Sequence, residues 1–247
     1  MQNVRWENVY FINGTAYAGK STMVKMLAEK HGGIACEENY HDQLSAGLDR
    51  EQFPCLTYTR DLENWSDFIR RTPDEYEAWI NGCTQECTVL ELKLLEGLSS
   101  RGKKVFVDTN IPVPVLREIS DNKHVLIMLA DPEISVNRFF QRPDKEKQFL
   151  YQLLLQEPDP ALALENFRAC LKRINSQKNY DAFLHSGFPV LLREEHVLPG
   201  VLVQPAGVSR APAGGASDSG GDAASGGRKI GPDRAAGLIG WEVHFPK

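Results

Sequence analysis

Several features that would fix a protein's class at once are missing from this chain. It has five cysteines, an odd number, and no spacing among them matches a disulfide framework or paired CxxC knuckles. The thiols therefore read as packed or idle side chains in a reducing environment. No apolar run approaches the ~18 residues of a membrane span, and the opening MQNVRWENVY has no apolar signal core. A cytoplasmic location without a membrane partner is expected. Basic excess is absent as well: 28 Lys and Arg stand against 33 Asp and Glu, a net charge of -5. A nucleic-acid partner is not expected on that balance. No internal repeat is visible.

What is present is an alternation of short apolar runs with longer helical patterns over residues 1–198. The runs are VYFI (9–12), GIACEEN (33–39), KKVFVDTN (103–110), HVLIMLA (124–130) and FPVLLRE (188–194). Near-continuous apolar strands separated by helices predict an α/β fold with a parallel sheet covered on both faces. Thr22 to Lys30 continues as a helix that His31-Gly32-Gly33 ends. Thr72-Pro73-Asp74-Glu75 is a capping box with proline at the first helical position. The helix from Asp74 to about Ser99 carries a stripe at Tyr76, Ile80, Cys83, Cys87, Leu90 and Leu94. Cys83 and Cys87 fall on that stripe and read as core, with no histidine spaced to join them on a metal. Half of the 20 glycines lie in residues 201–247, and residues 199–247 form a Gly/Ala/Ser-rich tail without apolar periodicity, expected to be disordered.

The densest signal is FINGTAYAGKSTMVKML (11–27), whose GTAYAGKS matches G-x-x-x-x-G-K-[ST]. A chance match in this length is about one in a hundred at average composition, and a strand before with a helix after lowers that further. In such a loop the glycines let backbone N–H groups turn towards phosphate oxygens, and the helix N-terminus adds its positive dipole end. Gly14, Thr15, Ala16, Tyr17, Ala18, Gly19, Lys20, Ser21 and Thr22 are thus the expected phosphate-binding residues. Lys20 reaches the β- and γ-phosphates, and Ser21 offers its hydroxyl to Mg²⁺.

Acidic residues come after the second and third strands, where open parallel sheets place their sites. Glu37, Glu38 and Asp42 come after the second, Asp108 and Asn110 after the third. Arg138 and Arg142 stand four apart at the end of a helix begun by Asp131-Pro132, before the break at Pro143-Asp144. Lys145 and Lys147 complete a basic segment in an acidic chain. His41 reads as a surface or packing residue, with a role at the substrate as the alternative. Arg60, Arg70 and Arg71 read as solvated helix charges, or as contacts to an anionic acceptor.

With these motifs the chain resembles the small-molecule kinases of the P-loop NTPase superfamily, such as nucleoside monophosphate kinases and shikimate kinase, over roughly residues 8–195. The resemblance implies a three-layer fold with a five-stranded parallel sheet of order 2-3-1-4-5. It implies an acceptor-side insertion at about residues 40–100 and a lid at about 138–148. It also implies transfer of the γ-phosphoryl group of ATP, with Mg²⁺, to a small molecule, with an anionic acceptor as one option. Glu38 or Asp42 would orient or deprotonate the acceptor, Asp108 would support the metal together with Ser21, and Arg138 and Arg142 would clamp the transferring group. The loop after the fifth strand, from Arg193 to His196, borders adenine in that group. Motor-type ATPases usually have a water-activating Glu directly after the third-strand Asp; here that position is Thr109. A regulatory ATPase, or an ATP-binding protein without turnover, is the alternative. The packed helix that comes after the fifth strand in such kinases has no counterpart in HVLPGVLVQPAG (196–207).

Overall fold

The computed structural model describes residues 5–193; the expected tail and the loop beyond Arg193 lie outside the described residues. Five strands, β1 (Val9–Gly14), β2 (Ile34–Cys36), β3 (Val105–Asp108), β4 (Val125–Leu129) and β5 (Val190–Leu192), form one sheet of order β2-β3-β1-β4-β5. Every pairing is parallel. Parallel neighbours need crossovers, and helices supply them: α1 (Lys20–His31) after β1, and α2 (Pro54–Thr57), α3 (Ser66–Ile69) and α4 (Pro73–Ser99) between β2 and β3. α5 (Val113–Ile119) joins β3 to β4, and α6 (Pro132–Arg138), α7 (Lys145–Leu155), α8 (Pro160–Ile174) and α9 (Gln177–Leu184) lead from β4 to β5. The architecture is the α/β fold expected from the sequence pattern, with the strand order that the resemblance implies.

Alternation along the strands sorts the core into two layers. Val9, Phe11, Val105, Val107, Ile127 and Leu129 face Leu95 of α4, Leu116 of α5 and the partly buried Tyr180 and Phe183 of α9. Ile12, Phe106 and Met128 face Met23, Val24 and Ala28 of α1. A third core has no strand in it. Trp65, Phe68, Tyr76, Trp79, Val136, Phe139, Leu150 and Phe167 unite the insertion between β2 and β3 with the helices between β4 and β5. Phe68 is its hub, with ring centroids 5.1 Å from Trp79 and 6.0 Å from Tyr76, both edge-to-face. The insertion and the segment of the expected lid around Phe139 thus share one helical core.

Helix ends obey their sequence signals. Thr72 and Glu75 close a reciprocal capping box on α4, and Asp131 and Asp159 each cap a helix that begins with proline. Three details differ from the sequence expectation. α1 starts at Lys20, because Gly19 at φ 91° bends the chain directly into the helix. On α4 the buried stripe runs through Leu95 instead of Leu94, because the first half of the helix packs into the helical core and the second half turns onto the sheet. α6 stops at Arg138, and a 3₁₀ turn covers Phe139–Gln141. Arg138 and Arg142 therefore do not share a helical face. Arg142 precedes Pro143, which drives it to φ -75°, ψ 141°.

Gly14 ends β1 at φ 127°, opposite Met128 of β4, and a Cβ placed there would lie 1.9 Å from the Met128 carbonyl oxygen. Gly14→Ala should therefore cost more than ~2 kcal/mol, because a backbone carbonyl in a central strand cannot move aside. Urea unfolding would measure this; a midpoint equal to wild type would contradict it.

Candidate active site

The site grows from the C-terminal ends of the two central strands. Gly14 closes β1 and Asp108 closes β3, with Ile12 directly beside Asp108 in the register. Between β1 and α1 the loop turns twice through left-handed backbone, at Tyr17 (φ 63°) and Gly19 (φ 91°). Thr15 pins the loop to β4: its N–H donates to the Met128 carbonyl at 3.0 Å, and its Oγ1 accepts from Ala130 N–H at 2.7 Å. Arg193, just beyond β5, donates to the Tyr17 carbonyl. These bonds fix the loop from outside.

At the mouth of the loop three side chains converge. Ser21 Oγ donates to Asp108 Oδ2 at 2.6 Å. Lys20 Nζ lies 3.7 Å from Asp108 Oδ1 and donates to the Thr15 carbonyl at 3.3 Å. Asp108 is 4% exposed and Lys20 8%. Burial pushes the Asp108 carboxyl above its ordinary range, while Lys20 and the Ser21 hydrogen bond pull it back and Glu38 and Glu91 push it further up. An anion held at that cost is suited to a cation beside it. The oxygen donors, one carboxylate and one hydroxyl, are hard ligands of the kind Mg²⁺ takes alongside water and phosphate. No cluster of three or more His, Cys, Asp or Glu that could hold a metal is found among the described residues.

A cleft of about 900 Å³ opens here. Of the expected phosphate-binding residues, Gly14, Thr15, Ala16, Tyr17, Gly19, Lys20, Ser21 and Thr22 line it. Ala18 does not; it is buried against Ile12 and Met128 in the α1 core. Glu37 and Glu38 both line the cleft. Glu37 is paired with Lys25 at 2.8 Å. Asp42 is not among the lining residues and sits beside His41, with Oδ1 3.7 Å from Nε2. Of the two acids expected to serve the acceptor, Glu38 is therefore the one brought to the cleft.

In the basic segment the structure selects differently from the sequence. Arg142 lines the cleft with its guanidinium 5.0 Å from the Tyr17 ring centre, whereas Arg138 is not among the lining residues. Lys147, which has no role by sequence, lines the cleft beside it. It is 5% exposed, and burial, with Arg142 nearby, pushes its ammonium pKa below the usual value. Asp144 holds both cations, 3.1 Å from Arg142 Nε and 3.1 Å from Lys147 Nζ. Arg60, Arg70 and Arg71 are engaged elsewhere: with Asp61, with Glu157, and over the Tyr58 ring.

A second residue missed in the sequence is Glu91, 1% exposed on α4. It accepts hydrogen bonds from Thr109 Oγ1 and, at 3.2 Å, from Tyr40 Oη, and lies 3.5 Å from His41 Nδ1. His41 is buried, its Nε2 3.1 Å from Cys87 Sγ; it is a packing residue. Burial raises the Cys87 thiol far above its usual value, so it stays protonated. The sequence does carry a signal for Glu91: it stands four residues after Cys87 on an apolar stripe, where a lone charge demands a partner.

Because the folded Asp108 carboxyl holds its proton more tightly than the unfolded one, its stabilising contribution is full below the unfolded value. That contribution is lost as pH rises through the folded value. Asp108→Asn, which mimics the protonated form, should melt above wild type at neutral pH without nucleotide. The gap should close as pH falls into the carboxylate range. Thermal melts across pH test this, and a lower melting temperature at neutral pH would contradict it. No family model, curated protein or solved structure matches this chain.

Proposed function

We propose that this chain is a cytoplasmic, ATP- and Mg²⁺-dependent phosphotransferase that moves the γ-phosphoryl group to a small-molecule acceptor. The observation that carries the reading is the Ser21–Asp108–Lys20 arrangement at the mouth of the loop, together with the identity of the residue next to Asp108. Thr109 is fully buried and donates its hydroxyl to Glu91, away from the cleft. No acid stands at that position to activate water, which favours transfer to an acceptor over hydrolysis for work.

On this reading the residues are assigned the following roles. The loop residues from Gly14 to Thr22 would cradle the phosphates with backbone N–H groups and the N-terminal end of α1. Lys20 would neutralise charge on the β- and γ-phosphates, and Ser21 and Asp108 would hold Mg²⁺. The metal, when bound, supplies charge neutralisation on the bridging phosphate oxygens. Glu38, at the end of β2, is placed to accept or orient the acceptor's hydroxyl proton. Arg142 supplies planar donors where equatorial charge would spread, and Lys147 adds a buried point charge. No helix among the described residues is long and apolar enough to cross a membrane.

Lys20→Ala should lower turnover at least tenfold, ~1.4 kcal/mol or more of transition-state stabilisation, in a protein that still melts cooperatively. Unchanged turnover would refute the placement. Arg142→Ala should lower turnover more than Arg138→Ala, since only the first residue lines the cleft; equal losses would contradict the assignment. Hydrolysis unaffected by any acceptor would instead support a regulatory ATPase.

A further inference from the structure

The cleft has two halves of different chemistry. Its charged lining residues are Lys20, Glu37, Glu38, Asp108, Arg142, Asp144, Lys147 and Arg193. All of them come from the phosphate loop, the ends of β2, β3 and β5, or the 142–147 segment. The other half is walled by α4, the turn after β3, the end of α8 and the start of α9, and no lining residue there bears a formal charge. Four amides stand in this wall: Asn81, Asn110, Asn175 and Asn179. Between them lie apolar groups, among them Ile80, Val113 and Tyr180. The half begins at Asn110, two residues beyond Asp108, so it adjoins the point where the loop would present a γ-phosphoryl group.

Two of the amides are held by carbonyls of α8. Asn175 Nδ2 donates to the Leu171 carbonyl at 2.9 Å, and Asn179 Nδ2 donates to the Ile174 carbonyl at 2.8 Å. Each keeps Oδ1 and one Nδ2–H to offer, a donor–acceptor pair that suits hydroxyl and amide groups. The start of α9 is the feature of this wall most favourable to an anion, and Ser176 Oγ already accepts from Asn179 N–H there. A carboxylate or phosphate moved from water against this wall would find no counter-charge in the wall itself. The arginines that could have supplied one, Arg60, Arg70 and Arg71, do not line the cleft.

We infer that the phosphoryl acceptor is an uncharged, hydroxyl-bearing molecule with both hydrogen-bonding and apolar faces, seated between α4, the 110–114 turn and the start of α9. This rests on the phosphotransferase reading and narrows its substrate class.

The test uses the full chain with ATP and Mg²⁺, probed with matched pairs that differ in charge. The pairs are nucleosides and their 5′-monophosphates, free sugars and sugar phosphates, and a hydroxylated alicyclic methyl ester and its free acid. Nucleotide binding is measured separately, by thermal shift with ATP and Mg²⁺. Acceptor-dependent ADP release confined to uncharged members, with a phosphorylated product, supports the inference. Asn81→Lys gives the second measurement: Asn81 is exposed on α4 and makes no side-chain hydrogen bond among the described residues, so the substitution spares the fold. It should raise the KM for the uncharged acceptor at least tenfold. Phosphorylation of the anionic members alone, or an unmoved KM in the variant, overturns the inference and leaves the phosphotransferase reading standing. Nucleotide binding with no acceptor-dependent ADP release from any pair removes that reading, and the inference with it.

Discussion

A carboxylate buried at the end of a strand, between a hydroxyl and an ammonium, is the constraint around which the rest of the site is arranged. Asp108 ends a central strand with 4% exposure, and Ser21 and Lys20 stand against its charge. Both are the first residues of α1, so the carboxylate depends on where that helix begins. The start of the helix depends in turn on Gly19, on the close approach of Gly14 to Met128, and on Thr15 clasping the end of β4. Strand register, loop curvature and helix start are thus parts of one geometric solution. On the phosphotransferase reading proposed above, an anion placed between a hydroxyl and an ammonium would gain stability when a cation and phosphates bind.

Behind Asp108 the support continues through Thr109. Its hydroxyl donates to Glu91 and accepts from Ile111 N–H, fixing the turn that leaves β3. Glu91 also receives Tyr40 from the segment after β2. One buried carboxylate on α4 therefore ties together the two strand ends that border the proposed acceptor. On the other flank Asp144 gathers Arg142 and Lys147. Each of these acids positions the polar or cationic groups around it. Low dielectric makes such networks strong when satisfied and costly when a member is lost.

Much of this is legible in the sequence, for identifiable reasons. The loop is a local motif whose spacing is its geometry, and parallel strands buried on both faces write themselves as continuous apolar runs such as VFV and VLIML. The acids at the strand ends are a consequence of the architecture. What is not legible depends on partners distant in the chain. Glu91 has meaning only beside Thr109 and Tyr40, and the switch from Leu94 to Leu95 only because α4 changes the core it serves midway. Arg142 displaces Arg138 for a reason that is in the sequence, the proline after it, although the helical spacing of the two arginines points the other way. Ala18 lies inside the motif yet packs into the core, since a curled loop has an inside and an outside. The uncharged wall of the cleft joins residues from 80 to 183 and has no linear signature at all.

The central claim is that the loop delivers a phosphoryl group to a second molecule and not to water. The fate of the label after incubating the protein with γ-labelled ATP, Mg²⁺ and a pool of small metabolites addresses it most directly. The account predicts that label accumulates in a new organic phosphate and that this product disappears when the metabolite pool is left out. Label recovered only as inorganic phosphate, at the same rate with and without the pool, would contradict it.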